Sequence, residues 1–172
     1  MLQLALLRHA NAAHGASDAR DFDRPLSAHG RKAAVDMGGH LRNRGFAPER
    51  IFCSPARRAR ETLECLGEGF ANAPGLEFPE EFYLAAPGTL LARVAAAGNA
   101  RSVLVVAHNP GLEDLANELA GRGAGSTGAQ AALARGFATT ALAVFEVDGL
   151  NFSSVHHEIA RLTHFVSPGA MQ

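Results

Sequence analysis

Residues 4–11 read Leu4-Ala5-Leu6-Leu7-Arg8-His9-Ala10-Asn11. Four apolar residues lead directly into a cation and an imidazole, which is typical of a buried strand whose end emerges at the edge of a sheet. In open α/β sheets, ligands bind at the edge formed by the carboxyl ends of the parallel strands. Arg8 offers a permanent positive charge there, and His9 offers a base or nucleophile that works near neutral pH.

Two later segments also carry polar side chains directly after an apolar strand. Residues 51–53 (Ile-Phe-Cys) precede Ser54 and Pro55, which we predict to be the N-cap and first residue of a helix. Residues 102–107 are the most strand-like segment of the chain, and His108 follows them. Because carboxyl ends of parallel strands share one edge, we expect these groups to face the same crevice as the first strand end.

Helical and extended spacing of apolar residues alternate along the rest of the chain. The spacing predicts helices after Ser27, after Pro55, over 87–97 and after His108, and short strands over 76–78, 139–147 and 152–162. Asp148-Gly149 predicts a tight hairpin turn between the last two strands. The Gly/Ala-rich segment 121–136 is expected to be a loop, in which 129–135 can hold a turn of helix. This order favours an α/β fold, with a mostly parallel sheet, helices on both faces and an antiparallel C-terminal hairpin.

Length and composition set the class of protein. A chain of 172 residues with 47% apolar content predicts a single domain over residues 1–172. A formal net charge of −1 gives no reason to expect binding to nucleic acid or to anionic membranes. No apolar run approaches the roughly 20 residues of a membrane span, and the N-terminus has no signal-peptide pattern. Two cysteines are too few for a disulfide framework, so we expect a cytoplasmic protein.

Three arginines lie in the first turns of the helix predicted after Pro55. Arg57 is four residues before Glu61, and Arg60 is four before Glu64, so we expect both to form exposed ion pairs. Arg58 has no acidic residue at that spacing and lies beside the apolar stripe of the helix. We therefore predict that Arg58 leans over the sheet edge toward the strand ends.

Two arginines, two histidines and a helix N-terminus together would form a pocket for a dianion. Arginine binds phosphoryl oxygens in bidentate fashion, and a helix N-terminus adds partial positive charge. Phosphoryl transfer depends mainly on positioning and charge stabilisation. A histidine among cations is held neutral, with a lone pair for in-line attack on phosphorus. A second histidine, protonated once phosphate is bound, could donate to the equatorial oxygens.

The spaced motifs resemble those of one family, the histidine phosphatase (phosphoglycerate mutase-like) superfamily. The motifs that carry the resemblance are Leu7-Arg8-His9, Ser54-Pro55-x-x-Arg58-Ala59-x-x-Thr62, and His108 after an apolar strand. The chain is most similar to the SixA-type phosphohistidine phosphatase branch through its small size, Arg24-Pro25-Leu26-Ser27, His108-Asn109-Pro110-Gly111 and Thr139-Thr140. Together these motifs extend over nearly the whole chain.

The resemblance implies a fold, a mechanism and a set of site residues. It implies a three-layer α/β/α sandwich and catalysis without a metal or other cofactor. His9 would be the nucleophile that accepts the phosphoryl group, and Arg8, Arg58 and His108 would complete the phosphate pocket, with Asn11 as a minor contributor. The substrate would be phosphohistidine on a protein. A broad phosphomonoesterase acting on small metabolites or nucleotides is the alternative, followed by a phosphate-binding module without catalysis.

Two departures from the family pattern affect the chemistry. The usual Arg-His-Gly is Arg8-His9-Ala10 here, which removes the backbone freedom of glycine. Larger members supply a carboxylic acid that protonates the leaving oxygen of an ester; Glu80, then Glu81, is the nearest candidate, although a solvated turn carboxylate is the simpler interpretation. An imidazole that already carries its proton departs without such an acid, which favours a phosphoramidate substrate.

Rival chemistries fit the sequence less well. The arginine that cysteine phosphatases need six positions after the cysteine is absent, since Ala59 stands there after Cys53. A catalytic metal lacks a ligand motif, and we interpret the other histidines as surface residues: His14, His29, His40, and His156-His157 beside Glu158. The chain also lacks the long insertions of mutases. The physiological substrate, the oligomeric state (a monomer is the simpler expectation) and the role of the 121–136 loop remain open.

Overall fold

A mixed β-sheet forms the centre of the molecule. The computed structural model describes residues 1–14, 20–121, 125–156 and 158–170. Its strands are β1 (Leu2–Arg8), β2 (Arg50–Cys53), β3 (Leu76–Glu77), β4 (Ser102–Ala107), β5 (Leu142–Val147) and β6 (Ala160–Val166). Within these described ranges the order across the sheet is β3-β2-β4-β1-β5-β6. Strands β1 to β4 pair in parallel, and β5 runs antiparallel to both of its neighbours. The predicted mostly parallel sheet with an antiparallel C-terminal pair is confirmed.

Helices cover both faces of this sheet. They are α1 (Ala28–Asn43), α2 (Arg57–Leu66), α3 (Glu68–Ala71), α4 (Pro87–Ala95), α5 (Gly111–Ala120) and α6 (Thr127–Leu133). One apolar cluster joins α1 and α2 to one face of the sheet, and a second joins α4, α5 and α6 to the other face. The result is the three-layer α/β/α sandwich that the family resemblance implied. No helix in the described part of the chain is long and apolar enough to cross a bilayer.

Residues 4–7 of strand β1 are all apolar because both faces of the sheet are covered there. Successive side chains of a strand point to opposite faces. Leu4 and Leu6 accordingly lie in the cluster with α4 and α5, while Ala5 and Leu7 lie in the cluster with α1 and α2. All four are fully buried. A stretch of strand covered on both faces is apolar at every position, and the apolar run ends at Arg8, where this cover ends.

Two helix starts were predicted with different success. Ser27 is the N-cap of α1, and its Oγ accepts a hydrogen bond from the Gly30 N–H at 2.9 Å. The predicted cap at Ser54-Pro55 is wrong, because α2 begins at Arg57 with Ala56 in the N-cap position. The two extra residues form a bend between β2 and α2. That bend leaves the Ser54 side chain for another contact, described below.

The C-terminal third departs most from the prediction. Strand β5 starts at Leu142 rather than 139, because the chain turns at Thr140, whose φ is +63°. The predicted strand 152–162 is wrong: Phe152–Ser154 is a short 3₁₀ helix, and β6 spans Ala160–Val166. Phe152 is fully buried in the core cluster, so its apolar character reflects packing rather than an extended strand. The segment 148–159 replaces the predicted tight turn, and residue 157 lies outside the described residues.

The Gly/Ala-rich segment 121–136 contains regular structure. Helix α6 occupies Thr127–Leu133, close to the turn of helix predicted over 129–135. Its side chains Ala129 and Leu133 are buried against the core. Residues 122–124 of the predicted loop lie outside the described residues.

Candidate active site

Three polar side chains meet at the carboxyl edge of the sheet. His9 follows β1, His108 follows β4, and Arg58 lies in the first turn of α2, which follows β2. Strand β4 lies between β1 and β2, so the three chain segments are neighbours. The exposed fractions are small, at 8% for His9, 4% for Arg58 and 2% for His108. Together with Arg8 they line a cleft of about 500 Å³, whose other lining residues are Asn11, Ala12, Asp21, Arg24, Leu84, Asn109 and Thr139.

Backbone contacts fix the protonation of the His9 ring. Its Nδ1 lies 2.8 Å from the Ala10 carbonyl oxygen, so Nδ1 carries the proton and donates it there. The Ala10 N–H in turn donates to Thr62 Oγ1 at 2.9 Å, which anchors this peptide to α2. Nε2 is left with its lone pair, and Arg58 Nε donates to it at 3.3 Å. Burial, and then the charges of Arg58 and Arg8, lower the pKa of His9 to about 4.

His108 is held in the complementary tautomer. Arg58 Nη2 donates to His108 Nδ1 at 3.3 Å, so the ring proton of neutral His108 is on Nε2. Nε2 donates to Ser54 Oγ at 2.6 Å, and this is the contact that the bend before α2 makes available. Burial, and then the neighbouring His9 and Arg58, lower the pKa of His108 to about 3. The two imidazole centroids are 4.9 Å apart.

Arg58 is fixed by a partner that the sequence did not predict. Its Nη2 pairs with Asp21 Oδ2 at 3.0 Å, and its Nη1 donates to the Asp21 carbonyl oxygen at 2.7 Å. Tyr83 OH donates to Asp21 Oδ2 at 2.7 Å, and the Tyr83 ring packs edge-on against His108, with centroids 5.7 Å apart. Arg58 thus lies between two neutral imidazoles, with its orientation set by one carboxylate.

Arg8 and Asn11 complete the predicted set. Arg8 is half-buried, and its Nη1 donates to the Phe137 carbonyl oxygen at 2.8 Å. Burial lowers the pKa of Arg8. Asn11 is exposed at the rim, where its Oδ1 accepts a hydrogen bond from Ser27 Oγ at 2.8 Å. The cleft therefore presents three guanidinium groups, those of Arg8, Arg24 and Arg58, and two neutral imidazoles, a combination suited to a tetrahedral oxyanion.

Known proteins are similar to this chain in sequence and in fold. The family model for the histidine phosphatase superfamily (branch 1) matches residues 4–81. An uncharacterized protein of Mycobacterium tuberculosis is 35% identical over 163 residues, which cover 94% of this chain and 99% of that protein. The structure of SixA from Agrobacterium tumefaciens is 32% identical with a TM-score of 0.82, and the match covers 97% of this chain and 98% of that chain. The chain belongs to the histidine phosphatase superfamily, in its SixA-type branch.

A further SixA structure is similar over its whole length. It is the protein histidine phosphatase SixA in complex with tungstate, which is 27% identical with a TM-score of 0.80. That match covers 99% of this chain and 100% of the SixA chain. These relatives support phosphatase activity for the present SixA-type chain. Tungstate is a tetrahedral oxyanion, like phosphate.

The two candidate carboxylic acids of this SixA-type chain lie outside the cleft. Glu80 and Glu81 are exposed in a short 3₁₀ helix, and neither lines the cleft. Among the described residues, the cleft carboxylate is Asp21. Hydrogen bonds from Tyr83, Arg24 and Arg58 lower the pKa of Asp21 to about 2, so it is ionised at neutral pH and has no proton to give. The exposed positions of Glu80 and Glu81 agree with the simpler interpretation of both as solvated turn carboxylates.

The other arginines of α2 have structural roles. Arg57 pairs with Glu61 at 2.8 Å as predicted, but Glu61 is buried rather than exposed. Glu61 also accepts a hydrogen bond from the Leu26 N–H at 2.8 Å. This carboxylate ties α2, and so Arg58, to the segment before α1. The predicted Arg60–Glu64 pair is wrong, because the Arg60 guanidinium carbon lies over the Phe78 ring, 5.0 Å from its centroid.

The remaining histidines and the cysteines that the structure describes do not line the cleft. His14, His29 and His156 are exposed as predicted, but His40 is half-buried and its Nε2 lies 2.9 Å from His164 Nε2. His157 lies outside the described residues. Burial raises the pKa of the Cys53 thiol, which is unsuited to a nucleophile. Within the described ranges, no three His, Cys, Asp or Glu side chains converge as metal ligands.

Acid should destabilise the fold through the two buried histidines. The pKa of His9 is about 4 and that of His108 about 3 in the folded chain, against 6.5 for an unperturbed histidine. Below pH 6.5 the two histidines are therefore protonated in the unfolded chain but stay neutral in the folded chain. As a result, the free energy of unfolding decreases as the pH falls from 6.5 toward 4. At pH 5 the loss should be about 2 kcal/mol for each histidine. Urea denaturation at pH 7 and pH 5 measures it.

A matched pair of variants isolates this effect. His108→Asn should reduce the loss of stability between pH 7 and pH 5, because one of the two groups no longer titrates. His29→Asn, at an exposed position, should leave the loss unchanged. Equal pH dependence in both variants would show that His108 is not the source.

Proposed function

We propose that this SixA-type chain hydrolyses phosphohistidine on proteins through a covalent intermediate on His9. The observation that carries the proposal is the tautomer of His9, whose Nδ1 proton is held by the Ala10 carbonyl while Nε2 keeps its lone pair. Such a ring is ready for in-line attack on phosphorus without prior loss of a proton. A site that only bound phosphate would not need this arrangement.

The first step transfers the phosphoryl group. Arg8 and Arg58 would bind its oxygens, and His9 Nε2 would attack phosphorus opposite the nitrogen of the substrate imidazole. The new N–P bond forms as the old N–P bond breaks, and the electron pair of the old bond stays on the substrate nitrogen. A substrate ring already protonated on its other nitrogen leaves as neutral imidazole, so the step requires no acid from the enzyme.

The second step returns the phosphoryl group to water by the same logic. Water attacks phosphorus, the bond to His9 Nε2 breaks, and the water proton passes to the phosphate oxygens. His9 leaves as a neutral imidazole because its Nδ1 already carries the proton bound to Ala10. His108 gains a proton once the dianion is bound, since a nearby negative charge raises its pKa, and it then donates to a phosphoryl oxygen.

The position of the carboxylates supports phosphohistidine over an alkyl ester. An ester leaves as an alkoxide unless an acid protonates it, and Asp21, the carboxylate lining the described cleft, is ionised. A protein substrate is also supported by Leu84 at the rim, whose side chain is 53% exposed. An apolar side chain at that position suits contact with a protein surface better than contact with a small polar metabolite.

Single-turnover hydrolysis in EDTA tests the proposal. A histidine-phosphorylated protein and a simple phosphate ester would be compared at equal concentration with excess enzyme. We expect phosphate release from phosphohistidine to be faster by at least about 100-fold, because only the ester needs a proton donor. Faster release from the ester would transfer the assignment to a small-molecule phosphatase. Tungstate binding without turnover of either substrate would indicate a phosphate-binding module.

A further inference from the structure

Glu113, in the first turn of α5, joins two segments behind the cleft. Its Oε2 accepts a hydrogen bond from Asn109 Nδ2 at 2.7 Å, and its Oε1 accepts one from the Phe137 N–H at 3.2 Å. Asn109 Nδ2 also donates to the Phe137 carbonyl oxygen at 3.0 Å. Glu113, Asn109 and the backbone N–H and C=O of Phe137 thus form a closed hydrogen-bonded ring, here called the Phe137 bracket.

The bracket holds the carbonyl group that orients Arg8. Arg8 Nη1 donates a hydrogen bond to the Phe137 carbonyl oxygen at 2.8 Å. Among the described residues, the Arg8 side chain makes this one hydrogen bond. The Phe137 ring is 2% exposed and packs perpendicular to Phe165 with centroids 5.2 Å apart. Glu113 therefore controls the direction of this carbonyl from one side, while the ring anchors the residue from the other.

The orientation of the Asn109 amide follows from its neighbours. Both groups near its nitrogen, the Glu113 carboxylate and the Phe137 carbonyl, accept hydrogen bonds, so the NH₂ group must face them. Replacing the carboxylate of Glu113 would remove the reason for this orientation. The amide could then turn, and the Phe137 oxygen would lose one of its two donors.

Arg8 and Arg58 are held in electrostatically different ways. Arg58 pairs directly with the carboxylate of Asp21. Arg8 instead contacts a carbonyl; burial lowers the pKa of Arg8, and the negative charge of Glu113, which makes no direct hydrogen bond to it, acts in the opposite direction. An arginine fixed through a neutral carbonyl keeps more of its charge for a bound oxyanion than one neutralised by direct contact.

We infer that Glu113 is a positioning residue for phosphoryl binding, acting on Arg8 through Asn109 and the Phe137 carbonyl. The inference rests on the proposed role of Arg8 as an oxyanion ligand and is independent of the leaving group. It predicts that Glu113 and Arg8 are energetically coupled in oxyanion binding, although both side chains contact the Phe137 backbone rather than each other.

A double-mutant cycle with tungstate tests the coupling. Calorimetry would give the tungstate Kd for wild type, Glu113→Ala, Arg8→Ala and the double variant. We expect Glu113→Ala to weaken binding by about 10-fold in the wild-type background and by less than about 2-fold when Arg8 is already alanine. Equal weakening in both backgrounds, or no weakening in the first, would overturn the inference. Wild-type protein that does not bind tungstate would refute the proposed function as well.

Two further variants separate positioning from general effects on the fold and charge. Asp114→Ala removes an exposed carboxylate from the next position of α5 and should leave the tungstate Kd unchanged. Glu113→Gln preserves the size of the side chain and should still weaken binding by about 3-fold, again only when Arg8 is present. If Glu113→Ala does not fold, Glu113→Gln provides the same cycle. Loss of binding in Asp114→Ala would indicate a field effect of α5 instead.

Discussion

His9→Ala should abolish turnover, with a fall in kcat/KM of at least about 10⁴-fold on a histidine-phosphorylated protein. The attacking atom in the proposed mechanism is His9 Nε2, and no other described cleft residue offers an unprotonated nitrogen in the same position. His108 Nδ1 accepts from Arg58 and belongs to the ring that would donate to the phosphoryl group. Reactions would be quenched at set times and assayed for released phosphate and for phosphate retained on the enzyme.

The covalent intermediate provides the second readout of this variant. Phosphate retained on wild-type enzyme should survive alkali and be lost in acid, as expected of a phosphohistidine, and His9→Ala should retain none. His29→Ala, which removes an exposed histidine, should behave as wild type. Undiminished activity in His9→Ala would refute the mechanism. A labelled His108 in that variant would reverse the roles of the two histidines.

The site could be predicted from sequence where its residues directly follow a strand. Arg8, His9 and His108 each occupy the position at which an apolar run ends, and the parallel sheet brings those positions together. The position of Arg58 in the site could be predicted because, unlike Arg57 and Arg60, it has no acidic residue four positions later on α2. The structure brings all four together around one cleft.

Contacts from irregular segments could not be predicted in this way. Asp21 lies 37 residues before Arg58 in a polar loop with no periodic pattern, so nothing local links the two. The signal that Arg58 was unpaired on its own helix could have prompted a search for a distant carboxylate, but not its identification. The Phe137 carbonyl is a backbone group, and its role with Arg8 depends on the turn that ends at Thr140.

The same reasoning explains why the C-terminal prediction was wrong. Phe152 and Val155 are buried and apolar, and alternation in a short window cannot distinguish an extended strand from an irregular segment that covers the core. Likewise, Ser54-Pro55 fits a helix start, but the hydroxyl of Ser54 binds His108 and the helix begins two residues later. In both places a tertiary contact outweighs the local preference.

Arg58→Ala should produce the second large effect, a weakening of tungstate and phosphate binding by about 100-fold or more. Arg58 is 4% exposed between His9 and His108, and a charge-assisted hydrogen bond contributes about 1.5–3 kcal/mol, so losing two such bonds accounts for this factor. Calorimetry with tungstate measures it directly. Arg57→Ala and Arg60→Ala serve as matched controls, because both remove an exposed arginine from the same helix turns and should leave the Kd nearly unchanged. Equal weakening in all three variants would show that oxyanion binding depends on the net charge of α2 and does not require direct contacts from Arg58.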